Sequence, residues 1–174
     1  MSRSPILFSA ALFALELPAA ANALPPQQFL PNRNSTVTAR IILPAIVTSL
    51  NDMDFGFVTV TTAGTAILDS NTGAVTTTGG VLFAGGLPHP AQFAAVSPSK
   101  TVVHIMLPKQ PATLTRVGGI ETMTVDTWTI NGNATRNVVA HELFAFSVGG
   151  TLHVNANQIE GTYTGTFNVT FNYN

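Results

Sequence analysis

GTYTGTFNVTFNYN, residues 161–174, closes the chain, and its reading decides the fold. Tyr163, Phe167, Val169, Phe171 and Tyr173 fall on alternate positions, with Thr and Asn in most of the gaps. Side chains along a strand point to opposite faces in turn, so this spacing predicts one amphipathic β-strand over 162–173. Its apolar side needs a core to cover it or a partner to bind.

Working back from that end, short runs rich in Val, Ile, Thr and Phe alternate with clusters of Gly, Pro, Asn and Asp as far as Val37. No window places apolar residues at helical spacing with caps. The pattern predicts strands at 36–47, 54–60, 65–69, 80–84, 91–96, 101–107, 111–115, 121–130, 138–148, 152–157 and 162–173. Turns are expected at Thr61–Gly64, Ser70–Gly73, Gly85–Pro88, Val117–Gly119 and Asn131–Asn133, where Gly, Pro and Asn supply the backbone angles that turns require. This is an all-β chain, and so many short strands fit a two-sheet antiparallel β-sandwich of immunoglobulin-like or pilin-like kind.

One hairpin can be read in register. A three-residue loop over Gly149, Gly150 and Thr151 sets Phe144, Phe146 and Val148 opposite Ala156, Val154 and Leu152, which matches apolar to apolar. A two-residue loop would set Phe146 opposite His153 and mix core with solvent. The first register is therefore the expected one.

The first 23 residues have one Arg3, an apolar run from Ile6 to Leu17 interrupted by Glu16, and a small-x-small Ala21-Asn22-Ala23. This is the form of a secretory signal cleaved after Ala23. The run is too short to span a bilayer comfortably, and no later stretch approaches the roughly 20 apolar residues of a membrane helix. No transmembrane anchor is expected. Residues 24–36 hold three prolines and no alternation, so they read as an extended linker before a single domain over 37–174.

Composition narrows the possible chemistry. Cys is absent, so packing and strand pairing must stabilise the domain without disulfides. Charged residues make up 9% and the formal net charge is −1, with no basic patch to neutralise phosphates. Nucleic acid is not an expected partner. The four histidines lack ligand spacing, and in the hairpin register His153 pairs with Ser147 while His141 lies about 20 Å further along that strand, at roughly 3.4 Å per residue.

Asn51, Asp52 and Asp54 in LNDMDFG read as polar turn residues introducing Phe55 rather than as a calcium loop. There is no Cys nucleophile and no G-x-S-x-G elbow, and no acid or base can be placed beside a Ser. The reading assigns no metal, no cofactor and no catalytic residue. Three N-x-[ST] acceptor patterns, at Asn34, Asn133 and Asn168, arise readily by chance in a chain this rich in Asn and Thr.

LNDMDFGFVTV near the start of the domain and GTLHVNANQIEGTYTGTFNVTFNYN at its end resemble a family of small secreted bacterial β-sandwich domains catalogued as a domain of unknown function. The resemblance spans Val37 to Asn174 and is most specific at Asp54-Phe55-Gly56 and in the closing segment. It implies an exported all-β protein without supplying an activity.

The ending is also similar to the last strand of chaperone–usher pilus subunits. Gly161 is fourteenth from the C-terminus and Tyr173 is penultimate, as in those subunits. That resemblance implies a periplasmic chaperone pairing along Gly161, Tyr163, Phe167, Val169, Phe171 and Tyr173, and identical or related subunits completing the fold by donor-strand addition. The chain departs from the pattern by lacking a disulfide and by having no alternating apolar residues in 24–36. The candidate donor is Val37, Ala39, Ile41 and Leu43, which can equally be the domain's own first strand.

The function expected is that of an exported structural protein of the periplasm, cell surface or exterior, a fimbrial or pilus-like assembly subunit. The alternative is a self-contained adhesin or carbohydrate-binding module using loops such as 84–90, with Trp128 stacking on a sugar or buried in the core.

Overall fold

β9 (Leu143–Val154) organises the molecule because it is apolar along most of its length and flanked by strands on both edges. The computed structural model describes residues 46–173. The signal (1–23), the linker (24–36) and the candidate donor residues Val37, Ala39, Ile41 and Leu43 lie outside the described residues.

The other strands are β1 (Ile46–Asn51), β2 (Phe57–Leu68), β3 (Val75–Gly85), β4 (Ala91–Val96), β5 (Thr101–Met106), β6 (Ala112–Arg116), β7 (Thr122–Ile130), β8 (Thr135–Val138), β10 (Tyr163–Thr164) and β11 (Thr170–Tyr173). No helix occurs among the described residues. All pairings are antiparallel and form two sheets. The larger runs β1-β4-β9-β7-β6-β10, with the β2–β3 pair also joined to β9, and the smaller runs β11-β5-β8.

One edge of β9 carries two strands in succession. β4 pairs with Leu143–Val148 and β2 with Gly150–Val154, while β7 takes the opposite edge. This places two apolar clusters end to end. One gathers Phe55, Ala66, Leu68, Val81, Met123, Val125, Leu152 and Val154, all from the larger sheet and the segment leading into it. The other joins Ala91, Phe146 and Val148 of the larger sheet to Val103, Ile105 and Val138 of the smaller, so here the two sheets meet face to face. Met53 and Trp128 touch both clusters. Phe146 is 1% exposed and stacks on Phe93 at 5.1 Å between ring centres.

The expected hairpin at Gly149–Thr151 does not form. The chain runs straight through both glycines, and Phe146 lies opposite Phe93 while His153 lies opposite Thr65 and Thr124. The glycines serve close approach, since a Cβ on Gly149 would lie 2.2 Å from the Leu68 carbonyl oxygen and one on Gly150 would lie 3.1 Å from Val125. Neither has a positive φ, which a tight turn would have required.

Thr61–Gly64 is likewise not a turn. β2 continues through it, and the register shifts between Val60 and Gly64 opposite Gly79 and Gly80, so the Gly-bearing segment is a bulge that bends a long hairpin. Residues 57–60 and 65–68 of the predicted runs 54–60 and 65–69 are thus parts of the one strand β2, with 54–56 and 69 outside it, and β3 starts before the predicted 80–84 run. Turns do form at Ser70–Gly73 and Val117–Gly119, and the chain bends at Gly86 and at Asn131–Gly132. In the first, Asp69 Oδ1 accepts from the Asn71 and Thr72 amides and from the Thr72 hydroxyl.

Candidate functional site

The closing segment does not form the single strand predicted over 162–173. It crosses from one sheet to the other: β10 pairs with β6 through Tyr163↔Arg116, and β11 pairs with β5 through Thr170↔Met106 to Tyr173↔Val103. The break lies at Gly165, where a Cβ would approach the Thr113 carbonyl oxygen to 2.4 Å. Residues 165–169 are in neither sheet, yet the two-residue alternation persists, with 167, 169, 171 and 173 half-buried and 166, 168, 170 and 172 exposed.

The expected assembly residues therefore divide between the two clusters. Tyr163 packs on the cluster of the larger sheet, and its hydroxyl donates to the Ile159 carbonyl at 2.6 Å and accepts from Gln158 Nε2 at 2.7 Å. Phe167, Val169, Phe171 and Tyr173 face the cluster between the sheets. Phe167 stacks on Trp128 at 4.7 Å, and Phe171 meets Phe146 edge-on at 5.4 Å. Such aromatic pairs add about 0.5–1.5 kcal/mol beyond the area they bury.

Gly161 lies against Arg116, whose Cδ would be 2.8 Å from an added Cβ. Arg116 Nε donates to Glu121 Oε2 at 2.6 Å, a bond that raises the guanidinium pKa and lowers that of the carboxyl. This pair holds the turn between β6 and β7 beside the entry of the closing segment.

β11 is an edge strand. Among the described residues only β5 pairs with it, so its other side presents main-chain donors and acceptors without a strand partner. Among the described residues β1 is also an edge, on β4, and all six of its residues are exposed, with Ile46 at 72% and Leu50 at 55%.

Other sequence candidates have structural roles. Asp54 Oδ1 accepts from the Gly56 amide at 2.7 Å, and Asp54 exchanges two main-chain bonds with His89. Leu50 and Asn51 thus end β1, and Asp54 bridges to His89 of the 84–90 loop just before buried Phe55. His153 Nε2 donates to Asp126 Oδ1 at 2.7 Å, and His104 Nδ1 lies 3.0 Å from Thr135 Oγ1. Among the described residues no three His, Asp or Glu side chains gather closely enough to hold a metal ion. No helix among them is long and apolar enough to cross a membrane.

Sequence reading missed the bulge in β7. Two residues, Thr127 and Trp128, occupy the place of one opposite β9, and Thr127 takes φ 47°. Nothing in the sequence marks this position, because Thr in a strand-like run ordinarily signals regular β structure.

The model of the family described as Domain of unknown function (DUF4402) matches residues 46–173, from the first residue of β1 to the last of β11. That span is 173 − 46 + 1 = 128 of the 174 residues. The chain belongs to the DUF4402 family. No curated protein and no solved structure matches it. The DUF4402 span leaves out Val37, Ala39, Ile41 and Leu43, which precede it.

Proposed function

We propose that this DUF4402 chain is an exported structural subunit, a pilin-like or immunoglobulin-like β-sandwich that assembles by strand complementation into a fimbrial or similar surface polymer. The signal over 1–23 would deliver it through the inner membrane to the periplasm, the cell surface or the exterior. Its partners are identical or related subunits and a periplasmic chaperone.

One observation carries the reading: among the described residues, β11 and the unpaired stretch before it form an open edge whose inward side chains are only half-buried. Phe146 and Val148 in the same cluster are sealed, so Phe167, Val169, Phe171 and Tyr173 have room for a further cover. A strand added beside β11 would supply main-chain bonds for affinity, and its alternate side chains would set register. The DUF4402 match beginning at Ile46 supports treating 37–43 as an extension available for donation.

The test compares the chain starting at Leu24 with a variant lacking 24–43, by light scattering over a range of concentrations and by electron microscopy. The reading expects filaments or concentration-dependent oligomers from the first and monomers from the second. Two concentration-independent monomers would refute it.

A further inference from the structure

Pairing between β6 and β7 stops at Ala112↔Val125, and past that point the edge of β7 faces the turn that follows β5. A cavity of about 320 Å³ opens there. Pro108, Lys109, Gln110 and Pro111 form one wall, and Asp126 and Trp128 stand on the other with Thr127 between them. This volume is at the low end of the roughly 300–1,000 Å³ of ligand sites, enough for a single small ring system.

Two independent features converge on this wall. Thr127 is β-branched yet occupies left-handed backbone, a strained conformation that survives only where its surroundings enforce it and that clusters at ligand sites. The strain turns the strand so that Asp126 and Trp128 both border the cavity. Second, Asp126 is pre-set as an acceptor: His153 Nε2 and the Thr127 hydroxyl both bond its Oδ1, at 2.7 and 2.9 Å, and Oδ2 makes no hydrogen bond among the described residues. The His153 bond, then the Thr127 bond, lowers the Asp126 pKa, so the carboxylate is ionised at neutral pH.

The chemistry of the walls selects the ligand. Lys109 contributes +1 and Asp126 −1, which sum to zero, so neither an anion nor a cation is favoured overall. Two prolines, Leu107 and the indole offer apolar surface to C–H groups. The ammonium, the Gln110 amide and the Asp126 carboxylate supply donors and acceptors side by side, as adjacent hydroxyl groups require. We propose that this cavity is a binding site for one neutral sugar residue of a glycan, with Asp126 accepting from two of its hydroxyls. No residue of the closing segment lines the cavity, although Trp128 also stacks on Phe167, and the chain can use the site whether or not it polymerises.

Trp128 is the only tryptophan in the chain, so the fluorescence and the single indole N–H resonance come from one residue of this wall, which also stacks on Phe167. The full chain, ¹⁵N-labelled, is titrated with glucose, galactose, mannose, N-acetylglucosamine and N-acetylgalactosamine in the millimolar range, with glucuronate as the anionic comparison. At least one neutral sugar should give a saturable shift of the indole resonance. Asp126→Asn should weaken its binding tenfold or more, and Gln110→Ala, on the exposed turn, severalfold with an unchanged circular dichroism spectrum. The site is refuted if no neutral sugar moves the resonance, if glucuronate binds as tightly as the best neutral sugar, or if both variants bind like the unmodified chain.

Discussion

Gly149→Ala separates a continuous β9 from a hairpin loop. In the structure the new Cβ would lie 2.2 Å from the Leu68 carbonyl oxygen, 2.9 Å from the Ser70 amide nitrogen and 3.0 Å from Thr129 Oγ1. Ordinary contact begins at 3.4 Å, so the Leu68 backbone must withdraw by 3.4 − 2.2 = 1.2 Å. Leu68 is sealed in the core and its neighbour across the ladder is Gly150, so this movement peels the end of β2 from β9. Overpacking of this kind costs about 1–3 kcal/mol. Two ladder hydrogen bonds lost at about 0.5–1.5 kcal/mol each bring the sum to about 2–6 kcal/mol. That is a large share of the roughly 5–15 kcal/mol that stabilises a typical domain.

Equilibrium urea unfolding followed by circular dichroism measures the loss. Gly118→Ala is the comparison: nothing lies within 4 Å of its added Cβ, but its φ of +76° makes the change cost about 1–2 kcal/mol through backbone strain alone. If Gly149→Ala costs no more than Gly118→Ala, Gly149 stands in open space as a loop residue and the continuous strand is wrong.

Two further outcomes follow from the packing and the charges. Phe146→Ala should cost about 3–5 kcal/mol, and a double-mutant cycle with Phe171→Ala should show a coupling of about 0.5–1.5 kcal/mol from the edge-on contact between the sheets; zero coupling would deny that contact. Asp126 and Asp69 both have lowered pKa values, the first chiefly from His153 and the second chiefly from the Thr72 amide. The stability these carboxylates contribute is complete above the ordinary Asp pKa near 4 and is lost as pH falls through their depressed values. Urea midpoints measured from pH 6 downward should drop in that acid window, and Asp126→Asn with Asp69→Asn together should flatten the fall.

The all-β class was legible because Val, Ile, Thr and Phe runs punctuated by turn residues admit little else, and 91–96 and 121–130 fall where alternation places them. Glycine was the ambiguous letter. Ser70–Gly73 turns and Asn131–Gly132 bends as their polar residues suggest, but Gly64 lies at a bulge and Gly149–Gly150 at a close crossing of strands. Those last two roles depend on which strands lie alongside, a tertiary fact that local sequence does not encode.

The closing segment shows the same division. Its alternation correctly gave the inward set Tyr163, Phe167, Val169, Phe171 and Tyr173, because facing depends only on a period of two. It concealed the crossing at Gly165, which is set by the approach of Thr113. The cavity wall at Asp126–Trp128 was beyond reach for a related reason, since a bulge inserts one residue without altering composition.

The central claim is that the open edge of β11 accepts a donated strand. The measurement that tests it most directly adds a peptide of residues 36–45 to the protein lacking 24–43, with amide exchange of 165–173 and unfolding followed together. Complementation predicts slowed exchange along that stretch and, with peptide at 100 times its dissociation constant, added stability of about 2.7 kcal/mol. Exchange and stability that stay unchanged at every peptide concentration would contradict it.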